Sequence, residues 1–332
     1  MTKRIAIVGA GSWGTALAVI AARAGHEVLL WSRDPEIVNS INARRVNGKY
    51  LSETSIPDRV TATNNIDNAL DLASLVLLAA PSHAARALLT TMAPALDDDA
   101  VIVSVSKGIE IDTGKRISEI VKEVAGGARA FVCLSGPSFA KEVVVGQPTA
   151  IVAASKDPAA ARTVQADLSF ENLRIYTNAD VIGTELGGSV KNVMAIAAGM
   201  TTGLGLGSNS VAALITRGLA EITRLARREG AQVETLMGLA GLGDLVLTCT
   251  GTLSRNRYVG EQLGKGIPLD KITAGMNEVA EGIKTTLAVK HLADRAGLEM
   301  PIVNEVNAVI YEGKSVQSAV AELMSRPLRE EI

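Results

Sequence analysis

The chain has 332 residues, 47% hydrophobic and 3% aromatic, with 33 basic against 35 acidic side chains for a formal net charge of -2. That length suits about two domains with aliphatic cores, and the near-neutral balance excludes a polybasic nucleic-acid or membrane-surface binder, so any anionic ligand requires a local basic cluster. The two cysteines, Cys133 and Cys249, lack metal-ligand spacing and suit free buried thiols in a reducing cytosol. The apolar run after Met1-Thr2-Lys3-Arg4 is too short for a secretory leader, and no later run reaches spanning length, so a soluble cytoplasmic protein is expected.

Ile5 to Val8 reads as a buried parallel strand because it lacks polar alternation. Gly9, Gly11 and Gly14 follow at the spacing G-x-G-x-x-G, and Thr15 to Ala24 reads as a helix. In that motif Gly9 permits the tight turn, Gly11 lets backbone approach a pyrophosphate, and Gly14 lets helix and strand pack closely. The helix N-terminus adds free N–H groups and a positive dipole end. A motif that follows a strand and opens a helix points to a dinucleotide site over a plain glycine turn. Gly25 stops the helix, and Glu27 to Trp31 forms a second strand ending Trp31-Ser32-Arg33-Asp34. Arg33 is placed to meet a 2′-phosphate, which favours NADP; the alternative is a solvated arginine at a helix start. Asp34-Pro35 reads as a helix cap.

Arg44 to Pro57 reads as a polar surface excursion, Val60 to Thr63 as a strand and Ile66 to Leu72 as a short helix. Leu75 to Ala80 is a central strand, His83 to Leu96 a helix, and Ala100 to Val105 a strand ending at Ser106-Lys107-Gly108. Ligands bind beyond the carboxyl ends of such strands, so Lys107 points into the crevice or is a solvated loop lysine. After a helix at Ser118 to Val124, the strand Ala130 to Leu134 runs into Ser135-Gly136-Pro137-Ser138-Phe139-Ala140. That turn either brings backbone amides to a ligand or is only a turn. Thr149 to Ala154 and Leu173 to Tyr176 read as edge strands flanking the helix Pro158 to Leu168, which completes an α/β doubly wound sheet.

Near Asn178 the pattern changes to helical periodicity with almost no strands, so residues 1–180 and 181–332 are read as two domains, the second all-α. Val211, Leu214, Ile215, Leu219, Ile222 and Leu225 recur at helical spacing between a cap at Ser208 and a stop at Gly230; Leu287 to Ala296 and Val303 to Ile310 repeat the pattern.

Three stretches of this half carry candidate chemistry. Within Glu185 to Asn192, the pair Gly187-Gly188 marks close approach by backbone or ligand. Lys191 follows among Val190, Val193, Met194 and Ala195; desolvated there, or near a second cation such as Lys107, it suits a proton acceptor, the alternative being a lysine snorkelling to water. Gly238 to Asp244, continuing to Thr248 and to Ser254-Arg255-Asn256-Arg257, offers a carboxylate and a phosphate-matching guanidinium. Asn277-Glu278-Val279-Ala280-Glu281-Gly282 is a carboxylate-rich turn.

Together these stretches closely resemble NAD(P)-dependent glycerol-3-phosphate dehydrogenases of the bacterial type. The resemblance rests on Gly9 to Gly14, Ser106 to Gly108, Leu134 to Ala140, Glu185 to Asn192, Gly241 to Asp244, Ser254 to Asn256 and Val279 to Gly282, in the family's order. It implies a Rossmann-like N-terminal domain and a 6-phosphogluconate-dehydrogenase-like helical domain. It further implies reversible interconversion of dihydroxyacetone phosphate and sn-glycerol 3-phosphate with NADP or NAD, supply of phospholipid synthesis, and a homodimer. Lys191 is then the proton acceptor. Lys107, Gly136, Ser138, Lys191, Asp244, Ser254, Arg255 and Asn256 would hold substrate. Gly9, Gly11, Ser12, Trp13, Gly14, Arg33, Lys107, Ala140, Arg255, Val279 and Glu281 would contact the coenzyme. A 6-phosphogluconate or 3-hydroxy acid dehydrogenase is the nearest rival, against which the Ser254-Arg255-Asn256 set and the Ser135 to Phe139 turn argue. Intact Lys191 and Asp244 argue against a non-catalytic nicotinamide sensor.

Overall fold

The computed structural model describes residues 2–126, 129–276, 280–328 and 330. Eight short strands, each apolar on at least one face, form a single sheet. They are β1 (Arg4–Val8), β2 (Glu27–Trp31), β3 (Val60–Thr63), β4 (Leu75–Leu78), β5 (Val101–Ser104), β6 (Phe131–Ser135), β7 (Thr149–Ala154) and β8 (Leu173–Asn178). Their order is β3-β2-β1-β4-β5-β6-β7-β8. The first six are mutually parallel, β7 is antiparallel to β6, and β8 is parallel to β7. Alternation along β1 sends Ile5 and Ile7 to one face and Ala6 and Val8 to the other, each joining a separate aliphatic core. Helices cover both faces, as a parallel sheet requires. Ser12–Arg23 and Pro158–Leu168 contribute to the first core, Ala85–Met92 and Ile117–Val124 to the second.

Three expectations need correction. Thr149–Ala154 is an interior strand, not an edge: Ile151 to Ala154 carry no polar side chain and are buried, whereas β8 alternates buried and exposed residues as an edge does. The helix expected at His83 to Leu96 is an α-helix only over Ala85–Met92, with 3-10 turns at Ser82–Ala84 and Ala93–Ala95; the latter contains Pro94, which lacks an N–H and disfavours continuation. Arg44 to Pro57 is no mere surface excursion, since Asn47 is fully buried and Leu51 and Ile56 join the first core.

Two compact units emerge: Met1–Lys107 with Lys115–Glu185, and Gly108–Gly114 with Leu186–Ile332. The chain passes from the first to the second within the helix Val181–Gly203, so no flexible linker lies there. Among the described residues the second unit contains no strand. Its helices include Ser208–Arg228, whose cap is Gly207 instead of Ser208, Arg255–Gly264, Glu281–Ala296 and Pro301–Tyr311. Glycines let Val181–Gly203 and Arg255–Gly264 touch backbone to backbone. A Cβ on Gly199 would lie 2.0 Å from the Arg257 carbonyl oxygen, and one on Gly260 1.9 Å from that of Ile196.

Glu221 stabilises this unit in a pH-dependent way. Its carboxylate, 3% exposed, accepts from the amides of Ile302 (2.8 Å) and Val303 (3.4 Å) at the start of Pro301–Tyr311. Burial nevertheless pushes the carboxyl from an ordinary 4.5 up to about 7, against the pull of those amides. An acid whose folded pKa is raised contributes stability that is complete below about pH 4.5 and lost as pH rises through about 7. The span is worth about 3 kcal/mol. Glu221→Gln keeps a neutral acceptor, so its denaturation free energy should fall less than the wild type's between pH 5 and pH 8. Parallel stability–pH curves would refute this.

Candidate active site

The first unit gathers its candidate residues at the carboxyl ends of the parallel strands, next to the point between β1 and β4 where strand order reverses. Gly9 has φ +124°, a conformation that L side chains rarely adopt, and a Cβ there would lie 2.4 Å from the Ala79 carbonyl oxygen. A Cβ on Gly14 would lie 1.9 Å from the oxygen of Gly9, whereas one on Gly11 would meet nothing within 4 Å. The outer two glycines are therefore required by packing, and the central one leaves open space above bare backbone. Gly11 is also the N-cap of Ser12–Arg23 and supplies no side-chain cap, leaving the first-turn amides for an anion. This cradle fits the pyrophosphate of a dinucleotide. Ser12 and Trp13 are half-buried in that first turn.

The loop is braced from below by Asn47, whose Nδ2 donates to the Ala10 carbonyl (2.9 Å) and to Thr15 Oγ1 (2.8 Å). At the end of β2, Arg33 is exposed while Ser32 is buried, its hydroxyl accepting from the Asp34 amide at 3.2 Å. Asp34 caps Pro35–Arg44 through the Glu36 amide and pairs with Lys49 at 3.2 Å, which holds its carboxyl below the usual range. That carboxylate is thus committed to a cap and a cation, and the neighbouring guanidinium projects to solvent.

Past β5 and β6, Lys107 Nζ donates to the Gly136 carbonyl (3.1 Å) and Ser138 Oγ donates to the same oxygen (3.0 Å). Gly136 has φ +136°, and a Cβ would lie 3.0 Å from Ile151 Cα. The turn is thus a built junction that brings Lys107, Gly136 and Ser138 together. Ala140 begins the short helix Ala140–Val144 and packs against the first core.

In the second unit Lys191 is buried, with 6% of its side chain exposed, and pairs with Asp244, whose side chain is 1% exposed. Lys191 Nζ donates to Asp244 Oδ1 and to Thr248 Oγ1, the latter at 2.8 Å. Thr248 in turn donates to the Asp244 carbonyl at 2.6 Å. Lys191 does not snorkel. The glycines explain how the pair forms: Leu239–Gly243 winds as a π-helical turn into Asp244–Thr250, and a Cβ on Gly187 would lie 2.6 Å from the Ala240 carbonyl oxygen. The two backbones can therefore approach closely enough for side chains 53 positions apart to meet.

Ser254 is the N-cap of Arg255–Gly264, its hydroxyl accepting from the Arg257 amide at 3.2 Å. Arg255 is exposed in the first turn. Asn256 is buried; its Nδ2 donates to Asn192 Oδ1 (3.0 Å) and its Oδ1 accepts from the Gly282 amide (2.9 Å). It thereby ties the Lys191 helix to the start of Glu281–Ala296. Glu281 is half-buried at that start, and Val279, with Asn277 and Glu278, lies outside the described residues.

Sequence reasoning assigned no role to Asn47, Asn192 or Thr248. For Thr248 a signal existed, because four residues after Asp244 is the same helix face. Asn47 and Asn192 act through contacts distant in sequence. Burial pushes the Cys133 thiol up and that of Cys249 up to about 12, which keeps both protonated and unreactive. Among the described residues no cluster of His, Cys, Asp and Glu could hold a metal, and no helix is long and apolar enough to cross a membrane.

Residues 4–161 match the model of the NAD-dependent glycerol-3-phosphate dehydrogenase N-terminus, and residues 180–321 that of the C-terminus. The chain is 55% identical to glycerol-3-phosphate dehydrogenase [NAD(P)+] of Koribacter versatilis, over 99% of each chain. It is 49% identical to the enzyme of that name from Citrifermentans bemidjiense, over 100% of this chain and 99% of the relative. The crystal structure of glycerol-3-phosphate dehydrogenase from Coxiella burnetii superposes with a TM-score of 0.95 at 41% identity, covering 98% of this chain and 99% of the other.

Proposed function

The chain belongs to the NAD-dependent glycerol-3-phosphate dehydrogenase family, and from that premise we propose that it interconverts dihydroxyacetone phosphate and sn-glycerol 3-phosphate with NADP or NAD. The observation that carries the reading is the buried Lys191–Asp244 pair in a fold whose other unit bears a dinucleotide cradle. The bound nicotinamide supplies the hydride in ketone reduction and accepts it in alcohol oxidation. Lys191 Nζ donates the proton that completes the hydroxyl in reduction and takes it back in oxidation. Asp244 and Thr248 accept from Lys191 Nζ and so fix the direction of its N–H bonds. Arg255, a planar fork, takes the substrate phosphate and approaches the coenzyme. Lys107, Gly136 and Ser138 contribute to the substrate pocket, with Ser254 and Asn256 setting the register of Arg255. Gly9, Gly11, Ser12, Trp13, Gly14, Ala140 and Glu281 contact the coenzyme, as does Lys107. On this reading the coenzyme domain, expected over residues 1–180, is the first compact unit, and the substrate domain, expected over 181–332, is the second, which also takes in Gly108–Gly114 and begins at Leu186. The enzyme works as a cytoplasmic homodimer supplying glycerol phosphate to phospholipid synthesis.

Steady-state kinetics with dihydroxyacetone phosphate, both coenzymes and a panel of unphosphorylated ketones test this proposal. Faster turnover of any unphosphorylated ketone would overturn it. Exposed Arg33 decides the coenzyme: a charge-assisted contact to the 2′-phosphate is worth about 1.5–3 kcal/mol, roughly a tenfold to hundredfold effect. Arg33→Ala should therefore raise the KM for NADPH by about that factor and leave that for NADH nearly unchanged. Equal effects on both would remove Arg33 from the 2′-phosphate.

A further inference from the structure

A cavity with a basic lining lies within the first unit, at the other end of the sheet from the glycine loop. About 340 Å³ in volume, it is lined by Arg116, Lys122, Arg129 and Lys156, with a floor that includes Phe131 and Val181. Phe131 begins β6 and Ser135 ends it, so the cavity is about 13 Å along that strand from the turn holding Gly136. It therefore does not belong to the coenzyme cradle. The volume is at the lower end of small-molecule pockets.

The charge of the lining is unusual for a chain of net charge -2. Four cations meet one carboxylate, that of Asp157, which caps Pro158–Leu168 through the Ala159 amide. Two of the cations are held as fixtures. Arg116 Nη1 donates to Glu185 Oε2 (3.0 Å) and to Ser118 Oγ (3.1 Å), and its Nη2 pairs with Glu119 at 3.3 Å. Arg129 donates to the carbonyls of Leu96, Asp97 and Ala125, and pairs with the fully exposed Asp98. The other two, Lys122 and Lys156, are exposed and have no hydrogen bond or ion pair among the described residues. Two ammonium groups with no partner among the described residues thus line the cavity together with apolar Phe131 and Val181, beside two guanidiniums locked in place.

We propose that this cavity binds a small organic phosphate, its phosphate between Lys122 and Lys156 and its apolar body against Phe131 and Val181. Strongly hydrated ammonium groups suit a phosphate as point charges. The floor accounts for the preference for an organic over an inorganic phosphate, because burying apolar area adds affinity that a bare ion lacks. The site is independent of the dehydrogenase reading, since none of its residues has a role in it.

Phenyl phosphate is a suitable probe, with inorganic phosphate as the head-only control. In isothermal titration of the intact enzyme, phenyl phosphate should bind at least tenfold more weakly to Lys122→Gln/Lys156→Gln at one class of site. Arg255→Ala should keep that class. Inorganic phosphate should bind it more weakly than phenyl phosphate does. A double-variant isotherm superimposed on the wild type's, or inorganic phosphate binding as tightly as phenyl phosphate, would overturn the assignment. A second measurement needs no variant: phenyl phosphate should slow acylation of Lys122 and Lys156 in the wild-type enzyme, read by peptide mass spectrometry, and leave Lys265 and Lys290 unaffected. Absence of selective protection would likewise overturn it.

Discussion

Replacing Lys191 by Ala should lower kcat by about 10²- to 10⁴-fold, the usual contribution of a positioned proton donor, while the dissociation constant of NADPH changes little. The same substitution should also destabilise the fold, because it removes the cation paired with Asp244, whose side chain is 1% exposed. Breaking a buried pair typically costs about 3–5 kcal/mol. Asp244→Asn should show a similar loss of stability from the other side, because it takes the carboxylate away from a buried ammonium. These two consequences separate in Lys191→Met/Asp244→Leu, which replaces the pair with apolar groups and should recover most of the stability without turnover. Urea denaturation and steady-state kinetics on all three variants check the set. Retention of more than a tenth of wild-type kcat by Lys191→Ala would refute the proton-transfer role.

The second large effect falls on the coenzyme cradle. Gly14→Ala adds one methyl group where the Gly9 oxygen is 1.9 Å away and the Ala79 Cβ 3.0 Å away. Contacts below 3.0 Å force movement, and the nearest obstacle is backbone. The helix must withdraw from β1 or the turn must open, and either displaces the first-turn amides aimed at the phosphates. Overpacking of this kind costs about 1–3 kcal/mol in stability. The larger expected loss is in binding: NADPH affinity measured by fluorescence titration should fall at least tenfold. Gly11→Ala is the control, since its Cβ meets nothing within 4 Å in the protein. It should leave the melting temperature unchanged yet still weaken NADPH, because the methyl group occupies ligand space. Unchanged affinity in both variants would place the dinucleotide elsewhere.

How much of this was legible in the sequence depended on how local its cause is. The glycine loop was legible because a left-handed turn and a tight helix–strand contact each demand glycine within a few residues. The alternation of strands and helices in the first half, and its disappearance afterwards, followed from hydrophobic period alone. The direction of β7 and the interior place of Thr149–Ala154 did not, because pairing partners are chosen by tertiary packing. Their apolar run nevertheless carried the mark of a strand covered on both faces. Lys191 stood out as a cation in apolar surroundings, but its partner could not be deduced, since Asp244 lies 53 positions away and meets it only through a glycine-lined approach. Asn47 was hidden for the same reason. It reads as a polar turn residue, and its hydrogen bonds run back 37 positions to Ala10 and 32 to Thr15.

Gly108–Gly114 belongs to the second unit although its neighbours on both sides belong to the first, and Arg295 Nη1 donates to the Thr113 carbonyl at 3.0 Å to hold it there. Neither half is therefore a continuous stretch of coding sequence. A chimera spliced within the Val181–Gly203 helix would inherit this seven-residue insert from one parent and the arginine that grips it from the other. Gly114 has φ +72°, a conformation that L side chains rarely adopt, so the graft tolerates little variation at that position. Recombination between relatives should succeed most often when residues 108–114 travel with the C-terminal half, as a short internal cassette inherited together with a partner far downstream.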